Sequence, residues 1–119
     1  MADIYTDAGE DLTADILDGT TAVPTWRVGW GTGAGTAAKA DTTLFTEAAE
    51  ARVVTVQSQP ASNQNRFVGT ITAAGAKTIT NAGILSAAAA GTLFLHSDFA
   101  GIALAIGDSI QFTFTLTWS

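Results

Sequence analysis

The sequence predicts an all-β protein: an antiparallel β-sandwich, with a jelly-roll or Ig-like connection, carrying one short N-terminal helix. Three observations lead there. Residues 109 to 118 alternate without a break, with Ile110, Phe112, Phe114, Leu116 and Trp118 on one side and Ser109, Gln111, Thr113, Thr115 and Thr117 on the other. From residue 52 onward, further stretches of period two are punctuated by turns rich in Gly, Asn and Ser. No helical pattern separates these stretches, which argues against a parallel α/β sheet. At 119 residues the chain is the size of one domain and can bury a core of its own. Residues 1–24 are read as an acidic helix or arm, and residues 25–119 as a single sandwich domain.

The helix comes first. Asp7 is its candidate N-cap, with Glu10 three residues later as a capping box prefers, and Gly19 is a natural stop. Leu12 and Ile16 share a face, with Ala8 one turn earlier. A helix of about ten residues is marginal alone in water, so it must lie on the sheet or on a neighbouring subunit. Trp26, Val28 and Trp30 then alternate with Thr25, Arg27 and Gly29 as a strand. Gly31 to Lys39 reads as a long flexible loop, and Asp41 to Glu50 as either a helical turn or an extended arm. Strand character resumes at Arg52 to Gln59 through Val53, Val54 and Val56, and residues 60–65 form a turn. Next, Phe67, Gly69 and Ile71 oppose Val68, Thr70 and Thr72. Ile79 and Ile84 have opposite parity around Asn81-Ala82-Gly83, which predicts a bulge or bend. Leu93, Leu95 and Phe99 are expected on one face, with His96 on the other. Ile102, Leu104 and Ile106 alternate again before a turn at Gly107-Asp108. The last strand, at about 3.3 Å per residue, spans roughly 33 Å.

Composition excludes several chemistries. There is no cysteine and a single histidine, His96, so thiolate metal sites, iron–sulfur clusters, a Cys nucleophile and a multi-His site within one chain are ruled out. The net charge of −6 resides in the stretch Asp3, Asp7, Glu10, Asp11, Asp15 and Asp18, while acids and bases balance beyond it. Such a cluster is either a solvated helix face or a docking arm for a basic patch. The acid excess argues against nucleic acid as a partner. No run is long and apolar enough to predict a membrane span, and no basic n-region precedes an apolar stretch as in a signal peptide. The sequence is therefore expected to be made, or assembled, in a cytoplasm.

Four constellations invite chemistry. The loop Gly29-Trp30-Gly31-Thr32-Gly33-Ala34-Gly35 has the glycines of a phosphate loop but no following Gly-Lys-Ser/Thr, so a flexible or subunit-packed loop is the simpler reading. His96 and Asp98 can share a strand face, yet no Gly-x-Ser-x-Gly elbow accompanies them, and a hydrogen-bonded or surface histidine is expected. The spacing of Asp7, Glu10, Asp11 and Asp15 follows a helix face, not a calcium loop. Trp26, Trp30 and Trp118 are either a sugar platform or core and interface packing. No catalytic residue, cofactor or metal is expected.

Four ordered stretches carry a family resemblance: Val28-Gly29-Trp30-Gly31-Thr32-Gly33, Asp41-Thr42-Thr43-Leu44-Phe45-Thr46-Glu47, Ile79-Thr80-Asn81-Ala82-Gly83-Ile84-Leu85 and Gly107-Asp108-Ser109-Ile110-Gln111-Phe112-Thr113. Together they span most of the chain, which resembles small tailed-bacteriophage virion proteins, among them head decoration (cement) and tail-fibre-associated proteins. Where that pattern often has Phe-Asp after the glycine of the third stretch, this chain has Leu85-Ser86. The resemblance implies a β-sandwich that assembles on a viral particle and implies no catalytic residues. The first expectation is a head decoration protein in the virion, with the major capsid protein and copies of itself as partners, in a trimer or another symmetric homo-oligomer. The second is a tail-fibre or baseplate-associated module that binds carbohydrate. The residues expected to meet a partner are Asp7, Asp11 and Asp15 of the acidic segment, Trp30, Gly31 and Gly33 of the Gly loop, and Phe45.

Overall fold

The computed structural model describes residues 3–118. Strands β1 (Ile4–Tyr5), β2 (Arg27–Gly31), β3 (Val53–Val54), β4 (Val56–Ser58), β5 (Gln64–Thr72), β6 (Lys77–Leu85), β7 (Leu93–Leu104) and β8 (Ser109–Thr117) accompany one helix, α1 (Asp7–Leu17). They form two antiparallel sheets, a five-stranded one in the order β1-β7-β6-β2-β3 and a three-stranded one in the order β4-β5-β8. The sheets face each other as a β-sandwich. The chain changes sheets between β3 and β4 at buried Thr55, whose amide and hydroxyl both donate to the Trp26 carbonyl, at 2.9 and 3.0 Å.

The core lies between the sheets. The large sheet contributes Val28, Trp30, Ile79, Ile84, Phe94 and Leu95, and the small sheet contributes Phe67, Ile71, Phe112, Phe114 and Leu116. The alternation in β8 is realised as expected from Ile110 to Leu116. It ends there: Trp118 lies beyond the strand, is 39% exposed, and donates its indole N–H to Asn65 Oδ1 at 2.7 Å.

Bulges settle the parity conflicts. In β6 the register with β7 shifts between Ile79 and Asn81, so Ile79 and Ile84 both reach the core while Asn81 turns to the outer face. A second shift, between Ile84 and Leu85, corrects one expectation. Leu93 and Leu95 do not share a face: Phe94 and Leu95 join the main core, whereas Leu93 packs with Leu44 and Leu85 in a separate cluster. An extra residue inserted in a strand reverses the parity of everything beyond it. The two apolar runs after residue 92 are also one continuous strand, β7.

The helix is capped by a different residue from the one expected. Thr6, not Asp7, is the N-cap: its hydroxyl accepts the Gly9 amide at 2.9 Å and donates to the Leu93 carbonyl at 2.5 Å. Gly19 ends the helix with φ 79°, its amide on Ile16 O at 3.1 Å and the Thr20 amide on Asp15 O at 2.9 Å, the paired bonds of a Schellman stop. Gly9 lets α1 sit on β7, because a Cβ there would lie 2.7 Å from the Phe94 carbonyl oxygen. Leu12 and Ile16 pack on the core from the same side. Thr6→Ala removes both the cap and the tie to β7, and is expected to lower stability by about 1–2 kcal/mol. Urea unfolding measures this, and an unchanged midpoint would contradict it.

Candidate functional site

The outer face of the five-stranded sheet is covered by the segment from Thr32 to Arg52. Small residues on that face make the trough in which it lies. A Cβ at Gly31 would come within 2.3 Å of the Phe45 carbonyl oxygen, and one at Gly33 within 2.6 Å of Thr46 Oγ1. The returning segment pairs with β2 and its extension: Thr32 and Gly33 amides donate to Thr46 and Phe45 carbonyls, and the Ala48 amide to Trp30 O, each at 3.0 Å. So Asp41 to Glu50 forms no helix but runs back along β2 and its extension, and the Gly loop is packed against it. Leu44 fills the space over Gly29 and Gly83. Arg52 fastens the far end. It forms a bidentate pair with Glu47 at 2.7 and 2.8 Å and donates to the carbonyls of Ala87 and Ala90.

Beneath this cover sits His96, 0% exposed. Its Nδ1 is 2.8 Å from Asp41 Oδ2 and its Nε2 is 3.1 Å from Asn81 Oδ1. Asn81 cannot be flipped, because Oδ1 accepts the Phe45 amide and Nδ2 donates to the Phe45 carbonyl, both at 3.0 Å. Asp41 Oδ2 also accepts the Ala38 amide at 2.8 Å. Both ring nitrogens therefore lie within hydrogen-bond distance of side-chain oxygens, one on each side of the ring. The Phe45 ring closes the site edge-on, 4.7 Å from the imidazole. Asp98 lies on the same face but accepts the Ala37 amide at 2.8 Å instead. The cluster clamps a covering segment to a sheet.

Trp30 lies on the other side of the sheet, 1% exposed in the core. Its indole N–H donates to Glu50 Oε1 at 3.0 Å, while Glu50 Oε2 accepts the Ala74 amide at 2.9 Å and the Lys77 ammonium. Burial pushes the Glu50 carboxyl up, but Lys77, the Ala74 amide and the Trp30 indole together outweigh it and hold the group at about 2. A depressed carboxylate stabilises the fold in full above its ordinary value of 4.5 and loses that contribution as pH falls toward about 2. Stability is therefore expected to drop across that window. Glu50→Gln should flatten the drop, and a slope identical to that of the parent chain would refute the assignment.

The structure thus gathers Gly31, Gly33 and Phe45 at the cover, places Trp30 on the core side of the same sheet, and leaves Asp7, Asp11 and Asp15 apart. The three acids are exposed along α1. Asp7 is 3.8 Å from Lys39 Nζ, which also pairs with Glu10 at 3.0 Å. Among the described residues Asp11 and Asp15 form no ion pair. Sequence reasoning missed Asp41, Asn81, Glu50 and Arg52. Asp41 and Asn81 meet His96, Glu50 meets Trp30 and Arg52 meets Ala87 across 15 to 55 positions, and no local spacing signals such pairs.

Two other features are open to solvent. One is a cleft of about 290 Å³ between α1 and the end of the sandwich, lined by Ile16, Trp26, Phe67, Phe94, Leu116 and Trp118. The other is the outer face of the three-stranded sheet. Its cross-strand rows run Val56–Val68–Thr113 and Ser58–Arg66–Thr115, with Thr70 beside Gln111. Arg66 is the one charged residue on those rows, and Val56 is 72% exposed. No helix among the described residues is long and apolar enough to cross a membrane, and no group of three metal-ligating side chains forms among them. No protein-family model matches the chain, and no curated protein sequence matches it either.

Proposed function

We propose that this protein is a non-enzymatic structural component of a tailed-bacteriophage virion, a head decoration protein that binds the major capsid lattice. The observation that carries the reading is the outer face of the three-stranded sheet, a nearly uncharged surface of Val and Thr presented to solvent. A flat face of this kind suits contact with another protein surface, since little charge has to be desolvated. The resemblance carried by the four sequence stretches points the same way. The groups most suited to catalysis are engaged in structural contacts: His96 with Asp41 and Asn81, and Glu50 with Lys77, Ala74 and Trp30. The mechanism is passive. A protein that binds only the assembled shell stabilises it by mass action.

Cryo-electron microscopy of the virion tests this. Density for the chain at regular positions outside the capsid lattice, with the small sheet in contact, is expected. Density at the tail alone would overturn the head assignment. The aromatic cleft favours a second reading, a tail-associated module that binds carbohydrate. Trp26 and Trp30 are buried, so Trp118 is the tryptophan available to a sugar. Glycan binding abolished by Trp118→Ala would support that reading, and no binding across a glycan array would remove it.

A further inference from the structure

Sheet edges are hazards that folded proteins blunt with short strands, charges, prolines or bulges. In this sandwich the other terminal strands are short: β1 and β3 have two residues each and β4 has three. The part of β7 that β1 leaves uncovered follows a register shift and carries Asp98. β8 is different. It is a terminal strand of nine residues, in unbroken register with β5, with no charge, no proline and no bulge.

The direction of its backbone groups follows from the hydrogen bonds at its ends. The Trp118 amide and the Asp108 carbonyl turn inward, to Asn63 O and the Ala73 amide, each at 2.7 Å. The Thr115 amide turns outward, to Asp3 Oδ2 at 3.4 Å. In a regular antiparallel strand this direction alternates. Hence even-numbered residues bond to β5, while Ser109, Gln111 and Thr113 direct N–H and C=O away from the sheet. Such a row is suited to pairing with another extended backbone.

We infer that the row is a self-association edge, on which two copies of this chain pair antiparallel about a two-fold axis at Gln111. Ser109 of each copy then lies opposite Thr113 of the other, and Gln111 opposite its own mate. Three features favour a second copy. The strand has no charge to repel its like. An isologous contact needs a self-complementary stretch, and Ser109 to Thr113 alternates the same way read from either end. Asp3 occupies the outward amide of Thr115, which limits the free row to residues centred on Gln111. The inference does not depend on the virion reading, and the purified chain in solution tests it separately.

The experiment is sedimentation equilibrium from micromolar to millimolar concentration, paired with amide hydrogen exchange. The parent chain is expected to dimerise, with the Ser109, Gln111 and Thr113 amides protected as dimer forms. Gln111→Pro removes an outward donor and leaves the β5 ladder intact, so a folded monomer is expected. Gln111→Lys places like charges side by side at the axis and should weaken association by about tenfold or more, reversibly with salt. Thr70→Lys, on the same face but one strand inward, should leave the dimer unchanged. A chain that stays monomeric at millimolar concentration with those amides exchanging freely would overturn the inference. So would a dimer that both Gln111 variants form as readily as the parent, or protection of these amides only on capsids.

Discussion

His96→Ala is expected to cost about 2–4 kcal/mol and to loosen the segment over the large sheet. The loss has three parts. An imidazole-sized void opens where no solvent reaches. Asp41 loses its imidazole partner, though it keeps the Ala38 amide and some exposure. Asn81 Oδ1 retains the Phe45 amide alone. Since Asn81 holds Phe45 by both amide and carbonyl, the damage should spread along 41–48 more than across the sandwich. Hydrogen exchange distinguishes this from general destabilisation. Amides of Gly33, Phe45 and Ala48 should lose protection well before those of β5 and β8. Equal loss in both regions would mean that His96 fills space without clamping the cover.

Trp30→Ala is expected to cost about 3–5 kcal/mol, the upper range for one side chain in a domain of this size. The indole is fully enclosed, packs edge-on to Phe112 at 6.2 Å, and spans to Glu50. Trp30→Phe separates these contributions. It keeps most of the apolar contact and removes the indole N–H, so its cost should fall to about 1–2 kcal/mol. Thermal or urea unfolding of the two variants gives the comparison. Similar losses in both would assign the energy to the hydrogen bond with Glu50 instead of to packing.

The sandwich was legible because its strands are amphipathic: one face buried, one wet, as in β8 and in Phe67, Gly69 and Ile71 of β5. The bulge in β6 was legible too, from the clash of parity between Ile79 and Ile84. The second bulge was not. Leu93, Leu95 and Phe99 keep a clean alternation in sequence, and the break arises from pairing with β6. The helix cap was misplaced by one residue because Thr6 gains a second partner, the Leu93 carbonyl, that is 87 positions away. The role of the glycines was hidden for a similar reason. Gly31 and Gly33 read as flexible until Phe45 and Thr46 are seen pressed against them. Expected partner residues were chosen by type, and type does not reveal that Trp30 faces inward while Asp11 and Asp15 face water.

The tie between Thr6 and Leu93 bears on the order in which a ribosome delivers the chain. The helix is made before β7, yet the second partner of its cap and the Gly9 contact both belong to that strand. An eleven-residue helix has little persistence on its own. During synthesis it therefore lacks its tertiary footing until β7 emerges. A nascent chain arrested before Leu93 should show no helix at all.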